Sequence, residues 1–322
     1  MDISRWLDAP FLDSRFPLPL DHPFTVQDAR AEGLTARHLA ALVAAALLRR
    51  PVRGVYLATQ AGDSPGLRAH CIRLAVPDDA ILCDRHAGWV HGAEMILAPN
   101  EHLDLQPISV FRPSGRGRLR NGLVDSGERA LTPHDVTEVN GIPVTTRIRT
   151  AWDLGRQRFP EQAIAGIDSM LRLGGFGREE LVAGVERFRG QRWVRTLRLI
   201  APLADGRAAS PGESVLRLRW IVAGLPTPQC QVEVWEDGLL IAVLDIANED
   251  LRYAAEYDGA EWHSSPDQRA HDRQRRTRVA EGAWVVDAFE KAHVFGPRAD
   301  AESRMREGVV RARRQFGSRI IV

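Results

Sequence analysis

Two consecutive apolar stretches that carry carboxylates constrain the fold of this chain most. Residues 239–247 read LLIAVLDIA and contain Asp245, and residues 251–258 read LRYAAEYD and contain Glu256 and Asp258. Both stretches have the composition of buried strands, and the alternation of side chains along a strand places Glu256 and Asp258 on one face. A hairpin between the two strands would bring Asp245 close to Glu256.

The segments around these strands predict a mixed sheet flanked by helices. Ser210 and Pro211 open a helical pattern that ends near Gly224. Three predicted strands follow this helix, at residues 231–236, 239–247 and 251–258. A charged helix at residues 266–281, a fourth strand at residues 283–289 and a terminal helix from residue 301 complete the predicted order. Helices before, between and after strands favour a layered α/β architecture.

Carboxylates on apolar strands are costly unless they are hydrogen-bonded, paired or neutralised by a cation. A further acid, Glu213, lies in the first turn of the preceding helix. Ligands that are all oxygen atoms suit Mg²⁺ or Mn²⁺, which can polarise a phosphate and activate a water. The alternative is that Asp245 and Glu256 pair with arginines such as Arg252 or Arg276.

Five separated motifs in this part of the chain resemble a branch of the PD-(D/E)XK nuclease superfamily that is related to very-short-patch-repair endonucleases. The motifs are Ser210-Pro211-Gly212-Glu213-Ser214, Leu244-Asp245, Glu256-Tyr257-Asp258-Gly259 with His263, Asp272 with Arg275 and Arg276, and Gly282-Ala283-Trp284-Val285. The resemblance covers about residues 206–322 and implies a restriction-endonuclease-like domain.

The resemblance also implies roles for individual residues. Glu213, Asp245 and Glu256 would hold Mg²⁺ (or Mn²⁺), and Asp258 would occupy the position of the superfamily's lysine. The implied catalytic set is therefore Asp245, Glu256, Asp258, His263 and Arg276. The chain departs from the pattern at Asp258, because a carboxylate cannot stabilise a negatively charged transition state as a lysine does.

The segment after Asp258 leaves two interpretations open. His263 could act as a general acid or base, since its reference pKa is near neutral, or it could be a surface or capping group. Arg269, Asp272, Arg273 and Arg276 lie together at helical spacing. They would form either a phosphate clamp, with Arg269 and Arg273 contacting DNA, or a solvated basic face.

The beginning of the chain has the pattern of a winged helix-turn-helix. Thr25 and Thr35 are plausible N-caps of two short helices, the first of which ends at Gly33. Two short strands follow, Leu47–Leu48 and Val55–Leu57. The turn between them would hold several basic residues, which are Arg49, Arg50 and Arg53, together with Pro51.

This section resembles the winged-helix start of AbiEi-family antitoxins. The second section, with NGIPVTT at residues 140–146 and RTAWDL at residues 149–154, resembles the platform that follows it in actinobacterial homologues, and the resemblance covers about residues 20–180. The matching residues include Phe24-Thr25, Asp28-Ala29, Gly33-Leu34-Thr35 and Arg53-Gly54-Val55-Tyr56. The resemblance implies DNA binding, with Thr35, Arg37 and His38 beginning the recognition helix and Arg49, Arg50 and Arg53 in the wing. The alternative is a winged helix that contacts only proteins.

The middle of the chain predicts a mixed α/β platform. An extended piece at residues 140–146 precedes helices that begin near Arg147, Pro160 and Arg178. The end of the section is basic, with arginines at positions 187, 189, 192, 195 and 198. These arginines would form either a solvated surface or a phosphate contact.

Composition limits the remaining choices. Of 43 basic residues only Lys291 is a lysine, and the formal net charge is +1. No apolar run is long enough for a transmembrane helix, and three distant cysteines indicate neither a disulfide framework nor a zinc site, which fits a reducing cytoplasm. We expect no membrane partner.

We therefore expect an α/β multidomain protein. Its sections are a winged helix (1–75), a mixed α/β platform (76–205) and an endonuclease-like domain (206–322). The expected function is DNA binding with Mg²⁺-dependent hydrolysis of phosphodiester bonds, in DNA repair or phage defence. Two alternatives stay open: a non-catalytic DNA-binding regulator, such as an antitoxin-like repressor with a degenerate nuclease fold, and a structural interaction protein without affinity for DNA.

Overall fold

A computed structural model of the chain describes residues 2–93, 107–113, 115, 117–119, 123–259 and 284–317. Within these residues the protein combines helices with three sheets, so the predicted α/β multidomain class is confirmed. The chain divides into two compact units, residues 1–153 and 154–322. The three predicted sections divide the chain differently and stay a prediction. In the described part of the chain, no helix has the length and apolarity needed to cross a membrane.

The first unit begins with a three-stranded antiparallel sheet of order β1-β3-β2. Its elements are α1 (Ser4–Leu7), β1 (Phe24–Thr25), α2 (Val26–Ala31), α3 (Ala36–Ala44), β2 (Leu48–Val52) and β3 (Val55–Ala58). Thr25 and Thr35 cap α2 and α3 as predicted, and each takes part in a reciprocal capping box. Local sequence signals therefore set where both helices begin.

The hairpin of β2 and β3 differs from the prediction. Arg49, Arg50 and Pro51 lie inside β2, and only Arg53 and Gly54 form the turn. The register shifts between Arg49 and Val52, which is where a β-bulge accommodates a proline that cannot donate a ladder hydrogen bond. The predicted basic turn is therefore mostly a strand.

A five-stranded sheet of order β6-β5-β4-β8-β7 completes the first unit. Its elements are α4 (Pro65–Arg73), β4 (Ile81–Leu82), α5 (Asp84–Val90), β5 (Ile108–Pro113), β6 (Val124–Arg129), β7 (Val136–Val139), β8 (Ile142–Thr145) and α6 (Arg147–Gly155). The sheet is mixed, because β4 pairs parallel with β8 and β5 pairs parallel with β6, whereas the β4–β5 and β7–β8 pairs are antiparallel.

A buried ion network joins this sheet to α6. Arg129 donates to Asp84 at 2.8 Å and to Asp153 at 2.9 Å. Arg149, one turn before Asp153, donates to it at 3.0 Å and lies 3.1 Å from Asp135. Each carboxylate of the network faces a guanidinium group, which compensates the cost of burying the charges.

The partly buried imidazole of His86 makes the stability of the first unit depend on pH. Its pKa is lowered to about 3, first by burial and then by the charge of Arg85. Nδ1 accepts a hydrogen bond from the backbone N–H of Ser109 at 3.2 Å, which requires an unprotonated nitrogen. Because the folded pKa lies below the unfolded value of about 6.5, the stabilisation is complete above pH ~6.5 and is lost as the pH falls toward 3.

We expect His86→Asn to remove this part of the pH dependence, since asparagine can accept the same hydrogen bond without titrating. Between pH 6 and pH 4, the unfolding free energy of the wild type should fall more steeply than that of the variant, by up to about 1.4 kcal/mol per pH unit. Urea denaturation at several pH values measures this difference. Parallel curves for the two proteins would show that His86 does not cause the dependence.

The second unit starts with a helical region. Its elements, after the end of α6, are α7 (Pro160–Arg172), α8 (Arg178–Ala183), a 3₁₀ helix (Gly184–Phe188), α9 (Val194–Ile200) and α10 (Pro211–Val222). Helices α7 and α10 pack together and share a buried ion pair, in which Arg217 donates to Asp168 at 2.7 Å. Asp168 also accepts the backbone N–H of Asp205 at 2.8 Å. These contacts fix the start of α10.

A four-stranded sheet of order β12-β11-β10-β9 follows α10. Its elements are β9 (Gln229–Glu236), β10 (Leu239–Asn248), β11 (Tyr253–Asp258) and β12 (Val285–Glu290), followed by α11 (Lys291–Val294) and α12 (Ala301–Phe316). Strands β9, β10 and β11 are antiparallel neighbours, whereas β11 and β12 are parallel. The predicted hairpin of the two carboxylate-bearing strands, β10 and β11, is present.

Candidate functional site

Asp245 lies where β10 and β11 stop pairing with each other. The last residue pair of the ladder is Ile246 with Ala255, and Asp245 and Glu256 are the next residues on the two strands. Beyond the ladder, the Oδ2 atom of Asp245 accepts the backbone N–H of Tyr257 at 2.8 Å. The carboxylate of Asp245 therefore lies beside the backbone of Glu256, as the predicted hairpin requires.

Glu256 and Asp258 differ in their surroundings. The side chain of Glu256 is buried, with 8% of the residue exposed, and it lies next to Ala288 of β12 in the parallel register. Asp258 is exposed and pairs in register with Glu290. Position 258, which would hold a lysine in the superfamily, is thus a solvent-exposed acid beside another acid.

Glu213 is the third residue of α10 and takes part in capping this helix. The Ser210 hydroxyl accepts the backbone N–H of Glu213 at 3.2 Å, so Ser210 is the N-cap that the sequence predicts. The Oε2 atom of Glu213 accepts the backbone N–H of Ala209 at 2.7 Å. A carboxylate in the first turn is also favoured by the helix dipole, so Glu213 has a structural role whether or not it binds a metal.

Gln231 joins Glu213 to the sheet, a contact that the sequence pattern does not indicate. Its side-chain amide donates to Oε2 of Glu213 at 2.9 Å. Gln231 has a φ of 54°, in the left-handed region that non-glycine residues seldom adopt. Strand alternation alone would place Gln231 as an ordinary polar residue of β9, and no sequence signal predicts its unusual backbone.

The carboxylates do not assemble as a complete metal-binding triad in the described part of the chain. No three His, Cys, Asp or Glu side chains among those residues form a group arranged to hold a metal ion. Asp245 and Glu256 come close through the hairpin, whereas Glu213 is held by its helix-capping contacts. Arg252, a predicted alternative partner, lies with its guanidinium 5.8 Å from the centre of the Trp284 ring.

The segment that carries the remaining predicted catalytic residues lies outside the described residues. It contains His263 and Arg276, the arginines Arg269 and Arg273 of the predicted phosphate clamp, and the first two residues, 282 and 283, of the motif that includes Trp284. Their roles stay predictions.

Gly212 allows α10 to approach the strand that carries Glu256. A Cβ atom at this position would overlap the ring of Tyr257, which also makes an edge-on contact with Phe295. Glycine is therefore required at position 212 because the helix packs directly against the ring of Tyr257.

We expect Gly212→Ala to lower the unfolding free energy by about 1–3 kcal/mol, as overpacking of a well-packed site does. Replacing Tyr257 with leucine in the same chain makes room for the added methyl group and should restore part of the lost stability. Urea denaturation of the single and double variants measures the coupling between the two positions. Equal losses in Gly212→Ala with and without Tyr257→Leu would show that the ring is not the cause.

The residues predicted to begin the recognition helix have mixed roles. Thr35 accepts the backbone N–H of His38 at 3.2 Å, and His38 accepts the backbone N–H of Thr35 at 3.3 Å. Both side chains therefore cap α3, and a contact with DNA would compete with that capping. Arg37, between them, is exposed and is the side chain best placed for a phosphate contact.

The wing is packed against the rest of the first unit. Val52 and Val55, on either side of its turn, belong to the buried core that also contains residues of the five-stranded sheet. A Cβ atom at Gly54 would lie 3.6 Å from the Leu123 side chain. One face of the hairpin is thus covered near its turn.

The three wing arginines differ in exposure. Arg53 is exposed, Arg50 is partly buried, and the Nε atom of Arg49 is buried without a hydrogen-bond partner in the described part of the chain. Of the three, Arg53 is the best placed to reach DNA, and Arg49 is the worst placed.

Comparison with known proteins identifies two relatives from Mycobacterium tuberculosis. They are the uncharacterized protein MT2308 of strain CDC 1551 / Oshkosh and the uncharacterized protein Rv2248 of strain ATCC 25618 / H37Rv. Each is 36% identical to this chain over 148 residues, which is 46% of the chain and 55% of the relative. The chain thus spans about half the length of these curated relatives. No protein-family model matches the chain.

Proposed function

We propose that this protein binds DNA and hydrolyses its phosphodiester bonds with Mg²⁺ or Mn²⁺ at the end of the β10–β11 hairpin. The observation that carries the proposal is the position of Asp245, whose carboxylate bonds to the backbone N–H of Tyr257 where the two strands separate. The two strands bring the backbones of Asp245 and Glu256 to neighbouring positions, and Glu256 is largely buried.

The donor set fits a hard divalent cation in part. Mg²⁺ keeps several waters and is commonly held by one or two carboxylates together with substrate phosphates, so Asp245 and Glu256 would be sufficient protein ligands. Glu213 would act mainly by holding α10 against β9 through Gln231. When bound, the metal would polarise the phosphate and lower the pKa of a bound water.

The chain's own residues would hold the substrate. The proposed role of α3 is to lie in the major groove of DNA with Arg37 at its start, as the recognition helix of a winged helix does. Arg53 at the turn of the hairpin would contact the phosphate backbone, which positions the protein but does not select a sequence. Arg49 is not included in this contact, because its Nε atom is buried.

The second candidate is a non-catalytic DNA-binding regulator, such as an antitoxin-like repressor with a degenerate nuclease fold. Two observations favour it. Asp258 places a negative charge at the position where the nuclease superfamily has a lysine, and Oε2 of Glu213 already accepts two hydrogen bonds. A protein of this kind would retain the DNA contacts and lack cleavage.

Two assays on the full chain separate these functions. The first incubates supercoiled plasmid with the protein and Mg²⁺ or Mn²⁺, and the endonuclease proposal predicts nicked or linear products that EDTA suppresses. The second follows the anisotropy of a labelled duplex from 50 to 200 mM salt, where binding to phosphates must weaken as salt rises. Binding without cleavage supports the regulator, and no binding at low salt contradicts both.

A further inference from the structure

The stretch between α8 and α10 in the second unit carries a high density of positive charge. Residues 187–198 read RFRGQRWVRTLR, with five arginines and no acidic residue. This segment includes the end of the 3₁₀ helix, the loop after it and most of α9. Its arginines, at positions 187, 189, 192, 195 and 198, are all exposed. The charge is carried by guanidinium groups, whose planar donors match phosphate oxygens in pairs.

Three of these arginines make no ion pair in the described part of the chain. Arg198 pairs with Glu186 at 3.1 Å. In contrast, Arg189, Arg192 and Arg195 have no acidic partner in the described part of the chain. Elsewhere in the same unit, exposed or buried arginines such as Arg217 and Arg311 pair with aspartates. We call Arg189, Arg192 and Arg195 the arginine triplet.

The loop before α9, which carries Arg189 and Arg192, makes several side-chain contacts. The guanidinium of Arg192 lies 5.0 Å from the centre of the Trp193 ring, and Trp193 has a φ of 62°, which is rare for a bulky residue. Arg156 lies over the ring of Phe188 at 4.7 Å and donates to the side chain of Gln191 at 2.6 Å. Cations on an ordered loop lose less conformational entropy when they bind a ligand.

From these observations we infer that the arginine triplet is a binding surface for the phosphate backbone of DNA, separate from the winged-helix contacts. The inference rests on the proposed DNA binding and adds a second contact to it. Exposed cations without acidic partners among the described residues attract a polyanion, and Trp193 adds an aromatic face, 38% exposed, beside them. Basic and aromatic side chains interleaved in this way are typical of surfaces that bind nucleic acids.

The test removes the three charges and measures the salt dependence of DNA binding. The variant is Arg189→Gln with Arg192→Gln and Arg195→Gln in the full chain. A labelled 20-base-pair duplex and its single strand are titrated by anisotropy from 50 to 200 mM salt. We expect weaker binding and a slope of log K against log salt that is smaller by about three, one for each lost phosphate contact.

The matched control removes the same number of charges from another exposed part of the second unit. Arg298→Gln with Arg313→Gln and Arg314→Gln changes three arginines that are also exposed. This control should keep the wild-type slope to within about one. Equal effects of the two triple variants would mean that net charge alone matters, and they would overturn the inference.

Further outcomes distinguish the inference from the proposed function. If the wild type binds DNA and the triplet variant keeps its slope, the inference is wrong and the proposed function stands. If the wild type does not bind DNA at 50 mM salt, both are wrong. Phosphatidylglycerol vesicles serve as a second anionic probe, and triplet-dependent binding to vesicles alone would assign the surface to a membrane and contradict the inference.

Discussion

Asp245→Asn is expected to abolish plasmid cleavage while leaving the fold intact. Asparagine keeps an oxygen that can accept the backbone N–H of Tyr257, a bond of 2.8 Å in the wild type. It loses the negative charge that a divalent cation needs. Since even partners of metal ligands contribute 10- to 100-fold, we expect the rate of cleavage to fall by more than about 100-fold. Conversion of supercoiled to nicked plasmid in Mn²⁺ measures the rate.

Three comparisons make this result specific. Asp250→Asn removes a charge from the exposed turn after β10 and should leave cleavage unchanged. Asp245→Ala also removes the acceptor for Tyr257 and should lower the unfolding free energy by about 1–3 kcal/mol in addition. Calorimetric titration with Mn²⁺ gives a readout besides activity, and it should show weaker binding in Asp245→Asn. Cleavage at the wild-type rate by Asp245→Asn would remove Asp245 from the catalytic site.

The largest loss of stability is expected from breaking the ion pair between α7 and α10. Asp168 is fully buried, and Arg217 has 4% of its surface exposed. Asp168→Ala would leave the Arg217 guanidinium buried, and among the described residues only the Leu203 carbonyl, at 2.6 Å, would remain as an acceptor. Removing one partner of a buried pair typically costs 3–5 kcal/mol, so we expect a decrease of about this size in the unfolding free energy. Urea denaturation measures it.

Two further variants separate burial of the charge from other causes. Replacing both partners, as Asp168→Leu with Arg217→Met, removes both buried charges and should recover most of the loss. Glu186→Ala breaks the exposed pair with Arg198 and should cost no more than about 1 kcal/mol. A loss below 1 kcal/mol in Asp168→Ala would show that Arg217 finds water or another acceptor.

Features that depend on neighbouring residues in the sequence could be predicted well. The threonine and serine caps at positions 25, 35 and 210 form because the capping oxygen and the N–H that it accepts are three residues apart. The strands that carry Asp245 and Glu256 follow from apolar alternation, and a short connection makes them neighbours. The class of the fold and the hairpin of the candidate site could therefore be derived from sequence.

Features that depend on distant residues could not be predicted in this way. The wing arginines are expected from the sequence in the turn of the hairpin, but Arg49 and Arg50 lie inside β2. Val52 and Val55, beside the turn, pack with the five-stranded sheet. The contact between Gln231 and Glu213 requires a left-handed backbone at Gln231 that no local pattern signals. In both cases the position of a polar side chain depends on tertiary contacts with residues far away in the sequence. Local sequence patterns do not indicate those contacts.

The burial of Val52 and Val55 by the five-stranded sheet limits how short a stable amino-terminal fragment of this protein can be. Cutting the chain after residue 75 would expose Val52 and Val55 to water, which costs about 1.5–3 kcal/mol of stability for each side chain. The exposed apolar patch would also favour aggregation. A fragment of residues 1–153 keeps both valines covered, because the sheet that buries them belongs to the same compact unit. Fusions and truncations that retain the amino-terminal helices should therefore also retain the five-stranded sheet.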